Sequence, residues 1–260
     1  MKKLLIILLA CGVLNAQSVQ WKTIDNGFEV GTYVSPQLSL LDNSTMTILR
    51  VDPELYKFDI MHEEYGHTAD KWAKDNKFLA VVNAGMYDGH GVNMGAMKHY
   101  DKVYNPKLNA YNAILAFNPV SEGLPSIDIL DAVYVNVSSK LRMYNSYTQS
   151  IRMVSLSRHN MWRQVDRMWS VVVVAIDMTG KVLFIHCRSP YTMHDFINIV
   201  LRSPLDIRNM MYLEGGPEAS LYVNHCDVEV SRVGSYETDF FDNSNNRFWN
   251  IPNVIGITKK

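Results

Sequence analysis

The sequence is short of cysteine, with 3 in 260 residues, and thin in glycine (14) and proline (9). A disulfide-dense scaffold is thereby excluded, as are collagenous and low-complexity chains, which need far more of these residues. Charge of one sign is missing as well. Lys plus Arg number 25 against 26 Asp plus Glu, a formal net charge of -1. Phosphate-backbone recognition shows as a basic excess, and no Lys/Arg run supplies one locally, so a nucleic-acid partner is not expected. No apolar run reaches the ~20 residues of a spanning helix. Absent too are a P-loop, a Gly-x-Gly-x-x-Gly turn and a Gly-x-Ser-x-Gly elbow.

What is there describes a globular chain: 47% hydrophobic and 20% charged residues can bury enough surface to offset the entropy of folding. Lys2 and Lys3 precede an apolar run from Leu4 to Leu14 and the polar Asn15-Ala16-Gln17, the pattern of a secretory signal peptide cut after Ala16. An alternative takes Leu8-Leu9-Ala10-Cys11 as a lipobox, with Cys11 acylated and the protein held at a membrane surface. The protein is thus expected to be periplasmic or extracellular, or a surface lipoprotein, with no transmembrane anchor after processing. Residues 17–260 show no Pro/Gly/Ser-rich seam and read as one domain.

Cys187 and Cys226 remain, each preceded by a histidine, His186 and His225. Free or buried thiols, a disulfide and a metal site are all open. Neighbouring residues on a strand point to opposite faces, which disfavours two ligands from one His-Cys pair. His62 and His67 in His62-Glu63-Glu64-Tyr65-Gly66-His67 lie five apart, not the four of a helical zinc motif, and read as a polar loop.

Alternation of apolar and polar residues marks strands at 46–51 and 56–60, with Asp52-Pro53 turning between them and pairing expected across that turn. Thr68 can cap a short helix carrying Trp72 and Ala73. Apolar runs at 78–82 and 113–117 are strands, and residues 83–112 between them form a long Gly- and Asn-rich loop of functional interest. The runs 169–176 and 181–187 flank Asp177-Met178-Thr179-Gly180 as a hairpin. Thr192 caps a helix whose Met193, Phe196, Ile197, Val200 and Leu201 share one face. Short strands follow at 210–213, 221–223 and 254–257. The fold expected is α+β, a single domain with a mixed, mainly antiparallel sheet flanked by helices.

Two strands end in a polar residue followed by glycine: Val82-Asn83-Ala84-Gly85-Met86-Tyr87, and Tyr212-Leu213-Glu214-Gly215-Gly216-Pro217 running on to Ser220. Glycine there turns the backbone sharply and lets N–H groups approach a ligand. Glu214, held by a strand at a Gly-Gly bend, is the foremost catalytic candidate; a solvated glutamate in a tight turn is the plain alternative. Arg152, in Gln149-Ser150-Ile151-Arg152, could clamp a phosphate or carboxylate bidentately, or serve a surface ion pair.

These two motifs, with Gly95-Ala96-Met97-Lys98, Gln149 to Met153 and the closing Ile251-Pro252-Asn253-Val254-Ile255-Gly256-Ile257, resemble the phosphodiester glycosidase family of uncovering-enzyme-like hydrolases. The resemblance spans about residues 40 to 258. It implies hydrolysis of a sugar joined through its anomeric carbon to a phosphodiester, in secreted relatives linked to exopolysaccharide. Glu214 would be base or nucleophile, Arg152 would hold the phosphate, and Asn83 would orient the substrate. Gly85, Tyr87, Gly215, Gly216 and Ser220 would line the binding site. A divalent cation is possible, and the implied partner is a phosphorylated glycan. Where the family usually has Leu-Asp-Gly-Gly, this chain has Leu213-Glu214-Gly215-Gly216, a shift of the carboxylate by about an ångström. Other readings are a glycan-binding protein that stacks sugars on Tyr87, Tyr100 and Tyr104, or a general phosphodiesterase. The enzymatic reading requires Asn83, Arg152 and Glu214 to converge in one cleft.

Overall fold

The computed structural model describes residues 18–239 and 242–260; the leader expected at residues 1–16, with Cys11, lies outside them. Strands outnumber helices seventeen to three among the described residues. Every strand pairing there is antiparallel, so the architecture is β-rich rather than α+β.

A seven-stranded sheet runs in the order β1 (Gln20–Asp25), β2 (Phe28–Val34), β3 (Thr45–Val51), β13 (Val182–Thr192), β12 (Met168–Asp177), β14 (Ile207–Gly215), β11 (Arg152–Val154). A five-stranded sheet follows the order β16 (Val228–Val233), β15 (Ser220–His225), β5 (Ala80–Asn83), β17 (Ile251–Lys259), β4 (Tyr56–His67). The third sheet is β7 (Lys102–Asn105), β6 (Met97–His99), β10 (Tyr144–Ser150), β8 (Ala113–Pro119), β9 (Ile127–Asp131). One face of each sheet meets in a common core: Leu49, Val172 and Leu213 from the first, Phe58, Val82 and Ile255 from the second, Leu115, Phe117 and Ile129 from the third. The other face of the seven-stranded sheet is covered by the helix Met193–Arg202, which buries Phe196, Ile197 and Val200. Burying three such side chains contributes about 5–9 kcal/mol before entropy is counted.

The Thr192 cap is as expected: its Oγ1 accepts from the N–H of Asp195 at 3.1 Å and donates to the Asp195 carboxylate at 2.8 Å. Thr68 begins the helix Ala69–Asn76 without such a bond. The hairpin of β12 and β13 also stands, with Asp177 Oδ1 accepting from Thr179 and Lys181 N–H groups in the turn.

Three expectations need correction. The strands at 46–51 and 56–60 do not pair: β3 joins the first sheet and β4 the second, so Asp52-Pro53 hands the chain between sheets. Residues 62–67 are the end of β4, not a loop, because β17 pairs with them through His67. The segment 83–112 contains β6 and β7, strands of only three and four residues that hold too few apolar residues to announce themselves. Both remaining cysteines are free, Cys187 buried and Cys226 exposed, so the disulfide alternative fails.

Candidate active site

β14 leaves the core at Glu214. The register slips between the pairs Tyr212–Val173 and Glu214–Val172, a bulge of the kind that re-aims a side chain at a strand end. Gly215 follows, and only glycine fits: a Cβ there would lie 2.2 Å from Tyr212 Oη and 2.4 Å from Trp169 Cδ1. Gly216 has φ +63°, a left-handed turn, and opens the 3-10 segment Gly216–Glu218 that doubles the chain back beside Glu214.

The outcome is a cleft of about 310 Å³ lined by Tyr87, Arg167, Trp169, Tyr212, Glu214, Gly215, Gly216, Glu218 and Glu237. That volume suits a small ligand such as one sugar ring with a phosphate. Glu218 Oε2 and Glu237 Oε2 lie 3.6 and 3.0 Å from the same point, where a Cβ on Gly216 would stand. Glu237 is held there by a clamp on β12. Ser170 Oγ accepts from Ser235 and Tyr236 N–H groups, and Thr238 Oγ1 bonds Met168 on both its N–H and C=O. Trp169 Nε1–H donates to Tyr212 Oη at 3.1 Å, fixing the aromatic wall.

Burial drives the electrostatics. It pushes the Glu214 carboxyl up from 4.5 to about 8, with further repulsion from Glu218 and Glu237, while the Gly215 N–H bond to Oε1 at 3.0 Å opposes the rise. Glu218 is raised too, by burial first and then by Glu237. Tyr87 and Tyr212 are raised for the same reasons, so both phenols stay neutral. The rise favours the protonated form of Glu214 at neutral pH. Arg167 stands at the rim, paired with Asp239 and 3.9 Å from Glu237.

Of the residues chosen from sequence, Glu214, Tyr87, Gly215 and Gly216 line this cleft. Asn83 is buried one layer below: its Nδ2 donates to the Glu218 carbonyl at 3.1 Å and its Oδ1 accepts from Ser220 N–H at 2.8 Å. It shapes the turn that carries Glu218 rather than facing the cleft. Ser220 is buried in the same turn, donating to the Glu218 carbonyl. His186 supports it from β13, its Nε2 3.2 Å from the Ala219 carbonyl, and burial lowers its pKa to about 3, so the ring is neutral. Gly85 packs against Asn93 and Thr148, outside the cleft lining.

Arg152 is not brought to the cleft. Its Nη1 donates to Asp131 Oδ1 at 2.6 Å in a nearly buried ion pair between β11 and β9. The three-residue convergence required from sequence therefore fails at both Asn83 and Arg152; only Glu214 of the three lines the cleft, and an enzymatic reading has to rest on the residues around it instead. The guanidinium that does reach the cleft is Arg167, which sequence reasoning missed along with Trp169, Tyr212, Glu218 and Glu237. Nor do the three tyrosines gather: Tyr100 packs on His99 and Tyr104 on His62, away from Tyr87.

A cleft lined by glutamates, two of them with raised pKa values, beside aromatic walls and an arginine has the groups for acid–base chemistry on a small anionic ligand. A sequence model of the phosphodiester glycosidase family matches residues 76–258, and the chain belongs to that family. Among solved structures, the zebrafish N-acetylglucosamine-1-phosphodiester α-N-acetylglucosaminidase catalytic domain, auto-inhibited by its pro-peptide, shares the fold at TM-score 0.62 and 14% identity, over 94% of this chain and 89% of that one. A hypothetical protein from Synechocystis matches at TM-score 0.64 and 10% identity, over 95% of this chain and 64% of that one. No curated protein matches the chain in sequence. No helix among the described residues is long and apolar enough to cross a membrane.

Proposed function

We propose that the protein is a hydrolase that releases a sugar from a sugar-1-phosphodiester, with Glu214 as general acid, Glu218 as base and Arg167 as the phosphate-holding cation. The observation that carries this is the convergence of Glu214 and Glu218 in one cleft beside Arg167, where partial burial pushes both carboxyls up. Family membership supplies the reaction class.

The sugar packs on Trp169 and Tyr87, and the phosphodiester exchanges Asp239 for substrate on exposed Arg167, a surface pair worth only about 0–1 kcal/mol. A neutral Glu214 removes the repulsion that a carboxylate would exert on the phosphate. Glu218 takes a proton from water, which attacks the anomeric carbon. The C1–O bond breaks, its electron pair passes to the phosphate oxygen, and the Glu214 proton follows. Products are the free sugar and a phosphomonoester; the spent proton on Glu218 returns to Glu214 through solvent.

The raised pKa thus moves Glu214 from base or nucleophile to acid. The longer side chain is accommodated by folding back on Gly215 N–H. Export by residues 1–16 would put the reaction in the periplasm or outside the cell, on a phosphorylated glycan such as an exopolysaccharide component. The test is a panel of sugar-1-phosphodiesters followed by release of reducing sugar. Turnover by the wild type, reduced at least 100-fold in Glu214→Gln and Glu218→Gln, supports the proposal; full activity in either variant removes that residue from its role. Binding of the panel without any turnover would favour the glycan-binding reading instead.

A further inference from the structure

Away from the cleft, Asp25, His225 and Cys226 meet where two sheets abut. We propose that they form a binding site for a borderline divalent transition metal of the zinc type, clamping β1 of the seven-stranded sheet to β15 of the second. Their donor atoms all lie within 4.8 Å of one another.

Strand alternation argues against a His-Cys pair as ligands, but Cys226 is not on a strand. His225 pairs with Val228, which leaves Cys226 and Asp227 as the two residues of a tight hairpin, with φ +48° and +62°. In that turn the neighbouring side chains converge: Cys226 Sγ is 3.5 Å from His225 Nε2 and 3.6 Å from Nδ1. Thiolate and imidazole donors on one tetrahedral zinc stand about 3.5 Å apart, given bonds of about 2.3 and 2.0 Å. The nearly equal distances to the two nitrogens put Sγ over the ring. Cys226 is exposed, and the site requires its Sγ to move toward the Nε2 lone pair.

Asp25 supplies the oxygen, with Oδ2 3.0 Å from Nε2. Its other oxygen accepts from Asn26 N–H at 2.7 Å, and the edge of Phe28 packs on the imidazole at 5.5 Å, so carboxylate and ring are both oriented from behind. Lys259 Nζ, 2.7 Å from Asp25 Oδ2, neutralises the carboxylate when no metal is bound. Lys259 sits near the end of β17 and is half exposed, so it can withdraw into water when a cation arrives. Three protein donors leave a fourth position for water.

The test uses the reduced full chain. Titration with Co²⁺ should give a thiolate-to-cobalt charge-transfer band saturating at one equivalent, bleached by Zn²⁺, and saturating Zn²⁺ should raise Tm by several degrees. Cys226→Ser should abolish the band, which assigns it to this thiol. Lys259→Gln should tighten Co²⁺ binding about fivefold, because it removes a competing cation. No band, a band that survives Cys226→Ser, or weaker binding in Lys259→Gln would each overturn the site. Glycosidase activity is not needed for any of these readings.

Discussion

Replacing Glu214 by glutamine should make the protein more stable and less active, and the gain should depend on pH. The folded carboxyl titrates near 8 against 4.5 for an ordinary glutamate. Between those values the folded chain holds a proton that the unfolded chain has released. Stability from this group is therefore undiminished below about pH 4.5 and is lost as pH rises to about 8. At about 1.4 kcal/mol per pKa unit the ceiling is about 5 kcal/mol. Glu214 faces an open cleft and keeps the Gly215 N–H bond, so solvent screening brings the expected loss nearer 2 kcal/mol. Glutamine can accept the same bond and carries no charge. Thermal unfolding of the two proteins should coincide near pH 4.5, diverge through pH 6 and 7, and reach a constant gap of about 4–8 °C in favour of Glu214→Gln above pH 8. A gap independent of pH, or one that favours the wild type as pH rises, would refute the burial argument.

Other consequences are as direct. Because Glu214 must carry a proton, kcat/KM should fall tenfold per pH unit above about pH 8; a rate climbing toward pH 8 would mark Glu214 as a base. Arg167→Ala should raise KM for the phosphodiester about tenfold with little change in kcat, measured by initial rates at low ionic strength. Arg152→Ala should leave KM unchanged yet destabilise by about 3 kcal/mol in urea, since Asp131 loses its buried partner. Gly215→Ala should abolish turnover and lower Tm, because the new methyl would overlap Tyr212 and Trp169.

The sequence announced structure where local physics suffices. The β12–β13 hairpin and the Thr192-capped helix were legible because alternation, turn chemistry and capping act over a few residues. Strand partners were not: β4 begins with the alternation of a half-buried strand and β3 is buried on both faces, and neither pattern says which sheet each joins. The same boundary runs through the cleft. Glu214, Gly215 and Gly216 were visible as a strand ending in a glycine bend, and Glu218 follows four residues on, hidden only by the turn that folds it back. Arg167 and Glu237 have no local mark; they meet at the cleft because β12 pairs with the segment around 237. Arg152 looked available because its partner, Asp131, lies twenty-one residues earlier.

Hydrolysis of a sugar-1-phosphodiester in ¹⁸O-labelled water tests the central claim most directly, since it reports which bond breaks. Attack at the anomeric carbon predicts the label on the released sugar and none on the phosphomonoester. Label on the phosphomonoester would mean attack at phosphorus, and the protein would be a phosphodiesterase rather than a glycosidase.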